Sequence, residues 1–584
     1  MADKNPIIIE EEYANFDSLY FQNRLTDEQK KIILNYPTVY IVNDQVNASK
    51  YSIYIGETSD INRRTTEHLM IDTKYRDDWK QFSESNSSKM LVIGHNYFNK
   101  SLTLDIENRL MQYMTSVESV SSINNRRANP QNDYYTSTEL ESIFSKIWTK
   151  LNKWNKELFP LERVIRDSAL FKASPFHKLT KEQMFAREQI ILKITKALNR
   201  EESGQLIMVE GEAGSGKTVL LSSLFYELYQ LSIRPEENIV LNGLTQYLLV
   251  NHEQQLKVYK QIMIKLGIMK KNNQDVVSKP TRFINNHNPE DRVDVVIIDE
   301  AHLLWTQGKQ SYRGKNQLTD LLERAKVVVV VFDRNQILSR EQYIEEQDLL
   351  RLIHETSLNG NHIQLHNQMR MSADEETVQW IRAIIDEAKL SKIPMDSKGY
   401  EIKLFDTPLE MQLAIQKKAK DESSGISRII ATFDWPYING KGKNEESYYY
   451  VTIDDWKMPW NLQLPLVKEP SIKNKELAWA EQPQTINEVG STFTIQGFDL
   501  NYAGVIIGPS VKYRNGRIVY DKQESKNKKA TQSRTITNGE KLDISEMLLK
   551  NELNVLLTRG VHGLYIYAVD EELRNALKNS KQSE

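Results

Sequence analysis

Cysteine is absent from the 584-residue chain, which excludes disulfides and thiolate metal centres together and fits a reducing compartment. No apolar run approaches the ~20 residues that a membrane-spanning helix needs. The opening stretch, Met1 to Pro6 and then Ile7-Ile8-Ile9 before three glutamates, lacks the hydrophobic core of a secretion signal. Net charge is nearly absent too. At -3, any polyanion must be met by local basic patches and not by a globally cationic surface. These absences predict a soluble, cytoplasmic protein with no membrane partner.

At about 150 residues per domain, the length predicts three or four domains. The best-defined stretch is Gly211-Glu212-Ala213-Gly214-Ser215-Gly216-Lys217-Thr218, which follows the apolar run Leu206 to Val209 and precedes the helix-like run Val219 to Leu224. Strand, glycine loop and helix in that order make a phosphate cradle. Glycines let the backbone N–H groups of Gly214, Ser215 and Gly216 approach an anion, Lys217 reaches the terminal phosphates, and Thr218 offers a hydroxyl to Mg²⁺.

Downstream, Val293 to Ile298 is an apolar strand that ends in Asp299 and Glu300. A buried parallel strand delivers its last side chains to the carboxyl edge of the sheet, where a nucleotide binds. Asp299 therefore reads as a holder of Mg²⁺ and Glu300 as the group that activates water, with ATP as the nucleotide. Lys217→Ala is expected to abolish turnover and to leave the fold intact. His302 reads either as a relay beside Glu300 or as a helix-start residue. Two further strands are expected at Asn238–Leu241 and Val327–Phe332, the latter ending in Asp333-Arg334-Asn335-Gln336.

The C-terminal third repeats the alternation. Arg428 to Pro436 reads as strand and turn, Trp456 to Leu462 as an aromatic-rich loop, and Ala503 to Gly508 and Gly563 to Tyr567 as strands. Between Gly508 and Asp543 lies a polar insert with Lys512, Arg514, Lys522 and Arg534 among its cations. It reads as a solvated surface or as a flexible arm tracking phosphates.

These segments resemble superfamily one helicases. From Ser174 to the end they look like a bacterial family related to the Schlafen group three helicase domain, through Trp435-Pro436, Gly504-Val505-Ile506-Ile507-Gly508 and Leu556-Leu557-Thr558-Arg559-Gly560. The resemblance implies two RecA-like parallel-sheet lobes with ATP in the cleft. It places Arg370 on the nucleotide, Arg559 on the terminal phosphate and Gln336 as the polar group that senses that phosphate. Asp499, after Gln496 and Gly497, stands where those helicases put a glutamate at the ribose. A glutamine ahead of the phosphate loop recognises adenine in such motors. Gln183 and Gln189 both qualify, and Gln189 is favoured by the helix length that follows it.

The N-terminal region carries a different set. Thr38 to Val42 and Tyr51 to Gly56 read as a hairpin around the loop Asn43–Lys50, followed by a helix with Arg64 and His68 one turn apart and a later helix bearing Glu107. The set resembles the GIY-YIG nuclease domain. Tyr40 matches the first motif, although Thr38-Val39 replace its Gly-Ile, and Tyr54-Ile55-Gly56 match the second. Arg64, His68 and Glu107 fall at the family's arginine, histidine and metal-binding glutamate, and Asn124, Asn125 and Asn129 compete for its late asparagine. The resemblance implies phosphodiester hydrolysis with one Mg²⁺ or Mn²⁺ on Glu107, and with Tyr40 or Tyr54 as the base.

The expected fold class is α/β, a small mixed α/β nuclease domain followed by two RecA-like lobes. Boundaries are expected at 1–35 (extension), 36–130 (nuclease), 131–180 (helical linker), 181–374 (first lobe) and 375–584 (second lobe, insert 509–543). The expected activity is ATP-dependent cleavage and remodelling of nucleic acid, DNA in preference to RNA, and analogy suggests bacterial anti-phage defence with a homo-oligomer or a defence partner protein. The alternatives are an ATPase switch that gates the nuclease without unwinding, and an ATPase with a non-catalytic N-terminal binding module.

Overall fold

The computed structural model describes residues 5–125, 134–211, 214–270, 275–308, 312–366, 368, 370–421, 425–438, 447–465 and 477–580. The chain forms two compact units. One comprises 1–187, 219–244 and 258–276, and the other 188–218, 245–257 and 277–584.

In the first unit, strands β1 (Ile7–Glu12), β2 (Thr38–Asn47), β3 (Lys50–Thr58), β4 (Lys89–Gly94) and β5 (Val120–Ile123) form one sheet in the order β1-β4-β2-β3-β5. Only the β3–β5 pair is parallel. The hairpin runs on to Asn47↔Lys50, so most of the loop expected at Asn43–Lys50 is strand. Its polar residues are accommodated because they are bonded. Asn43 Nδ2 donates to Lys89 O at 3.2 Å, and Asp44 accepts from the hydroxyls of Ser85 and Ser87. The stretch 1–35, expected as an extension, supplies the edge strand β1 and the core side chains Tyr13, Phe21 and Ile33, which pack with Tyr40, Trp79 and Val92.

Helix Lys100–Ser116 is capped by Asn99, whose side chain accepts from Leu102 N, and is buried along most of its length. Its last carbonyls find a cation. Buried Lys265 Nζ donates to Thr115 O at 2.9 Å and to Val117 O at 2.6 Å. The strand expected at Asn238–Leu241 is a turn. Ile239 is 85% exposed and only Leu241 is buried, so the apolar triplet has no sheet to enter.

The second unit contains two parallel sheets. Strands β6 (Gln205–Gly211), β7 (Gln246–Val250), β8 (Val277–Ser278), β9 (Val293–Asp299), β10 (Ala325–Phe332) and β11 (His362–Leu365) lie in the order β11-β6-β10-β9-β7-β8. β9 and β10 are valine- and isoleucine-rich and buried almost throughout, as strands covered on both faces require. The crossed order brings the carboxyl ends of β6, β9 and β10 together.

The remaining strands are β12 (Glu401–Leu404), β13 (Ser427–Ala431), β14 (Tyr450–Ile453), β15 (Trp456–Pro459), β16 (Val489–Gly490), β17 (Leu500–Ile507), β18 (Val511–Arg514), β19 (Arg517–Tyr520), β20 (Arg534–Thr535), β21 (Lys541–Leu542) and β22 (Gly560–Ala568). The second sheet has the order β12-β22-β17-β13-β16, all parallel. Of the aromatic-rich segment expected as a loop, Trp456–Pro459 is strand β15, paired with β14, and Trp460 is buried in the core beside Phe433. The polar insert contains two hairpins, β18–β19 and β20–β21, and four of its cations are committed. Lys512 pairs with Asp521 at 2.7 Å, Arg514 with Asp570 at 2.8 Å, and Lys522 with Asp543. Arg534 is buried and donates to Thr306 Oγ1 at 2.9 Å. A flexible arm tracking phosphates is therefore not what these residues form. No helix among the described residues is long and apolar enough to cross a membrane.

Candidate functional site

At the end of β6 the chain turns through the glycine loop into helix Lys217–Ser232. Glu212 and Ala213 lie outside the described residues. Lys217 is buried, and its Nζ donates to Gly211 O at 2.6 Å and faces Asp333 Oδ2 at 3.3 Å. Asp333 ends β10. Burial raises its carboxyl, but Lys217, His302 and Gln336 outweigh burial and hold it below the ordinary carboxylate range.

Thr218 Oγ1 donates to Asp299 Oδ2 at 3.3 Å, so the hydroxyl from the loop and the carboxylate from β9 already face each other. Gln255, which the sequence reading did not single out, donates from Nε2 to the same Asp299 oxygen at 2.5 Å. Glu300 follows with φ 52 and ψ 50, a left-handed backbone that costs a non-glycine residue about 1 kcal/mol or more. The turn keeps its carboxylate in the site, with Oε2 3.2 Å from His302 Nε2 but out of line for a hydrogen bond. Burial lowers the pKa of His302, against Glu300 and Asp333, so the ring is neutral.

Gln336 bridges the two sheets of this unit. Its Nε2 donates to Asp333 Oδ2 at 2.7 Å, and its Oε1 accepts from Arg559 Nη2 at 3.2 Å. Arg559 is fully buried at the end of helix Ser545–Leu557, where its Nε also donates to Val555 O at 3.0 Å. Burial, then the nearby Arg370, pull its pKa down to about 9, which leaves it charged at neutral pH. Arg370 packs on the loop, since a side chain at Gly214 would strike Arg370 Cβ 2.7 Å away. Arg370 Nε pairs with Asp499 Oδ1 at 2.6 Å.

These residues fit a nucleotide with its cation. Glu300 Oε2 and Arg370 Nη1 are buried without a hydrogen-bond partner among the described residues, a deficit that water and an anionic ligand would fill. The two adenine candidates lie apart along helix Lys181–Asn199. Gln183 is buried in its first turn, where its amide oxygen accepts from Thr180 N at 3.0 Å, and Gln189 is half-buried midway along it.

A second polar cluster is built on β2, β3 and the helix Ile61–Met70. Tyr40 Oη lies 2.8 Å from His68 Nε2, and His68 Nδ1 lies 2.6 Å from Asp72 Oδ2. Burial, then Arg64 and Arg76, push His68 down to about 2. The neutral ring therefore donates from Nδ1 to Asp72 and accepts the phenolic proton at Nε2. Trp79 stacks on His68 with ring centroids 3.6 Å apart and fixes the plane. Gly56 is opposite Tyr40, and a Cβ there would meet the phenolic oxygen at 2.5 Å, so the motif glycine makes room for the tyrosine.

Tyr54 lies beside Tyr40 with centroids 6.0 Å apart. Burial raises both phenols, Tyr40 far above its ordinary value, and Arg64 and Glu107 act on both with opposite sign. Arg64 also pairs with Glu67 at 3.2 Å. Of the three asparagines, Asn125 accepts from Ile55 N at 3.0 Å, Asn124 donates to Ser52 Oγ at 3.0 Å, and Asn129 lies outside the described residues. Asp72, Trp79 and Gln255 belong to no motif, and their place became apparent only through contacts across the fold.

Comparison with known proteins adds a family. The sequence profile described as Schlafen group 3, DNA/RNA helicase domain, matches residues 204–570. The uncharacterized protein YPL245W of Saccharomyces cerevisiae is 36% identical over 436 residues, covering 68% of this chain and 90% of that protein. Among solved structures, a Pif1 helicase from Candida albicans is 15% identical with a TM-score of 0.21, over 41% of this chain and 54% of its own. A structure described as the basis for DNA unwinding at forked double-stranded DNA by two coordinating Pif1 helicases is 12% identical with a TM-score of 0.24, over 68% and 94%. The profile spans more than half of the sequence, and the chain belongs to the Schlafen group 3 DNA/RNA helicase-domain family.

Proposed function

We propose that the protein is an ATP-dependent enzyme of nucleic acid, in which a helicase-type motor governs metal-dependent phosphodiester cleavage by the N-terminal cluster. The observation that carries the motor is the buried chain Lys217–Asp333–Gln336–Arg559, which joins the phosphate loop to the second parallel sheet through contacts of 3.3, 2.7 and 3.2 Å. Family membership agrees with it.

When bound, ATP with Mg²⁺ supplies the phosphoanhydride and the charge that offsets it. Lys217 and the loop N–H groups then hold the terminal phosphates, while Thr218 and Asp299 hold the cation. Glu300 accepts a proton from the attacking water, with His302 beside it as a neutral neighbour. Arg370 and Arg559 offset charge developing on the phosphoryl oxygens, and Gln336 ties Arg559 to Asp333. Asp499 is assigned to the ribose, and Gln189, with Gln183 as its rival, to the base.

A strand is proposed to lie in the cleft of about 210 Å³ that includes Asn251, Trp305, Phe493 and Lys529, where bases stack on Phe493 and Trp305 and the lysine meets phosphate. DNA is favoured over RNA, in a cytoplasmic antiviral setting.

In the N-terminal cluster, Glu107 is assigned one Mg²⁺ or Mn²⁺, and Arg64 the charge on the phosphate. A single carboxylate suits an ion that draws its other oxygens from water and substrate. The hydrogen bond to His68 favours Tyr40 over Tyr54 as the base. As Tyr40 takes a proton from water, its own passes to His68 Nε2, a transfer that burial, Arg64 and Arg76 oppose and that Asp72 and the anionic phosphate held on Arg64 favour.

The test is ATP turnover with and without single-stranded DNA, run with cleavage in one tube on wild type, Lys217→Ala, Arg64→Ala and Glu107→Ala. DNA-stimulated turnover lost in the first variant and cleavage lost in the other two support the reading. Equal cleavage in all variants would sink the nuclease assignment. Turnover that rises with DNA while a tailed duplex stays paired would make the motor a switch.

A further inference from the structure

Gln255 lies in the first turn of helix Glu253–Lys265 and is almost fully buried. Its Nε2 is shared by two oxygens, Asp299 Oδ2 at 2.5 Å and Thr218 Oγ1 at 3.4 Å. Those are the two protein atoms assigned to the divalent cation. An amide nitrogen between a carboxylate and a hydroxyl brings partial positive charge to the point where a cation would bring a full one. Turned over, the amide would set its oxygen against the carboxylate, so the N–H₂ end must face Asp299.

The other end of the amide has a different neighbour. Gln255 Oε1 is buried without a hydrogen-bond partner among the described residues. It faces Gly497, where a Cβ would lie 3.2 Å from it, and whose φ of +84 is left-handed. Gly497 follows Gln496, whose Nε2 approaches Gln336 O at 3.5 Å. One buried amide thus touches the cation oxygens with one end and the Gln496-Gly497 turn with the other, and only the first contact is a hydrogen bond.

We propose that Gln255 is a positioning residue that contends with the divalent cation for Asp299 and Thr218, so that the arriving cation drives the amide toward the Gly497 turn. The proposal rests on the nucleotide-site reading above. In the absence of cation the amide holds the two oxygens in place and lessens the repulsion between Asp299 and an incoming phosphate. Cation binding must break that hydrogen bond, which opposes the cation. The displaced amide has Gly497, without a side chain, as its neighbour, so the state of the cation site is passed to the turn that carries Asp499.

Competition and simple orientation predict opposite signs. If Gln255 only orients Asp299, removing its amide weakens cation-dependent binding. If it contends with the cation, removing it strengthens that binding, by about ten-fold for one hydrogen bond to a charged group. The measurement is the Kd of ADP by titration calorimetry in EDTA and in Mg²⁺, expressed as the ratio of the two, for full-length wild type, Gln255→Ala and Gln255→Met.

The ratio is expected to rise about ten-fold in both variants. A ratio unchanged or reduced would overturn the proposal. Gln255→Met keeps the volume of the side chain and serves if the alanine variant does not fold. Lys217→Ala separates the two levels of the argument. ADP binding lost in Lys217→Ala with no rise in the Gln255 variants removes this inference alone, whereas ADP binding retained in Lys217→Ala removes the nucleotide-site reading and this inference with it.

Discussion

Arg559 Nη2 donates to Gln336 Oε1 at 3.2 Å, and the same glutamine donates to Asp333 at 2.7 Å. A fully buried guanidinium from the second sheet thus ends on a side chain that also touches the partner of the phosphate-loop lysine. Arg559→Ala should lower ATP turnover by about 10³-fold, and Arg559→Lys should recover little because a lysine cannot present the same fork. Gln336→Ala should cost less alone and add little in the Arg559→Ala background, since neighbours acting through one contact are not additive. Steady-state turnover of wild type and the four variants checks this, and additive losses would mean that the two residues act separately.

Lys217 and Asp333 form a buried pair, so Lys217→Ala does more than remove a phosphate ligand. It leaves the buried Asp333 without its lysine, a change that costs about 3 kcal/mol for buried pairs. The substitution is therefore expected to spare the fold while lowering its stability. Urea denaturation should show Lys217→Ala less stable than wild type by that amount, and Lys217→Ala with Asp333→Asn should recover most of it. A single variant as stable as wild type would show that water or another cation serves Asp333.

On the nuclease reading, the hydrogen bonds that Tyr40 donates to His68 and His68 to Asp72 give the tyrosines different fates. Tyr40→Phe should lower cleavage by about 10²-fold or more, and Tyr54→Phe by less. Asp72→Asn should fall between, because the ring keeps a partner at Nδ1 but loses the charge that favours the imidazolium. Cleavage of a labelled duplex under single-turnover conditions measures all three. Equal losses for the two tyrosines would remove the distinction drawn from His68.

How far the sequence reveals this architecture depends on how local each feature is. The phosphate loop and the Asp299-Glu300 end of β9 are legible because chemistry and secondary structure occupy one short segment. The chain also reads as α/β for the same reason, since valine-rich runs such as Val327–Phe332 alternate with helices. Gln255 is not legible, because its partner Asp299 is 44 positions away and its own surroundings read as an ordinary helix start. The insert misleads in the opposite direction. Arg514 and Arg534 look solvated in sequence, yet their partners Asp570 and Thr306 lie 56 and 228 positions off. Asn238–Leu241 shows the limit of counting apolar residues, because strand β7 forms only where Tyr247 to Val250 can join a buried sheet.

Glu552 gives the second parallel sheet a pH dependence of its own. It is buried in helix Ser545–Leu557, where one oxygen accepts from Phe433 N at 3.2 Å and the other has no hydrogen-bond partner among the described residues. Burial first, and then the nearby Asp434, raise its pKa to about 8 from the ordinary 4.5. A carboxyl raised in the folded state binds its proton more tightly there than in the unfolded chain. Its contribution to stability is therefore fully present below about pH 4.5 and is lost as pH rises through about 8, with a limiting slope of about 1.4 kcal/mol per pH unit. Asp434 is raised as well, mainly by burial, and acts in the same direction. Glu552→Gln keeps the acceptor for Phe433 N and removes the titration. Urea denaturation at intervals from pH 5 to 8 should show wild type losing stability more steeply than Glu552→Gln, with the variant gaining relative to wild type toward pH 8. Parallel profiles would mean that Glu552 titrates at its ordinary value and that the cluster around Asp434 is open to water.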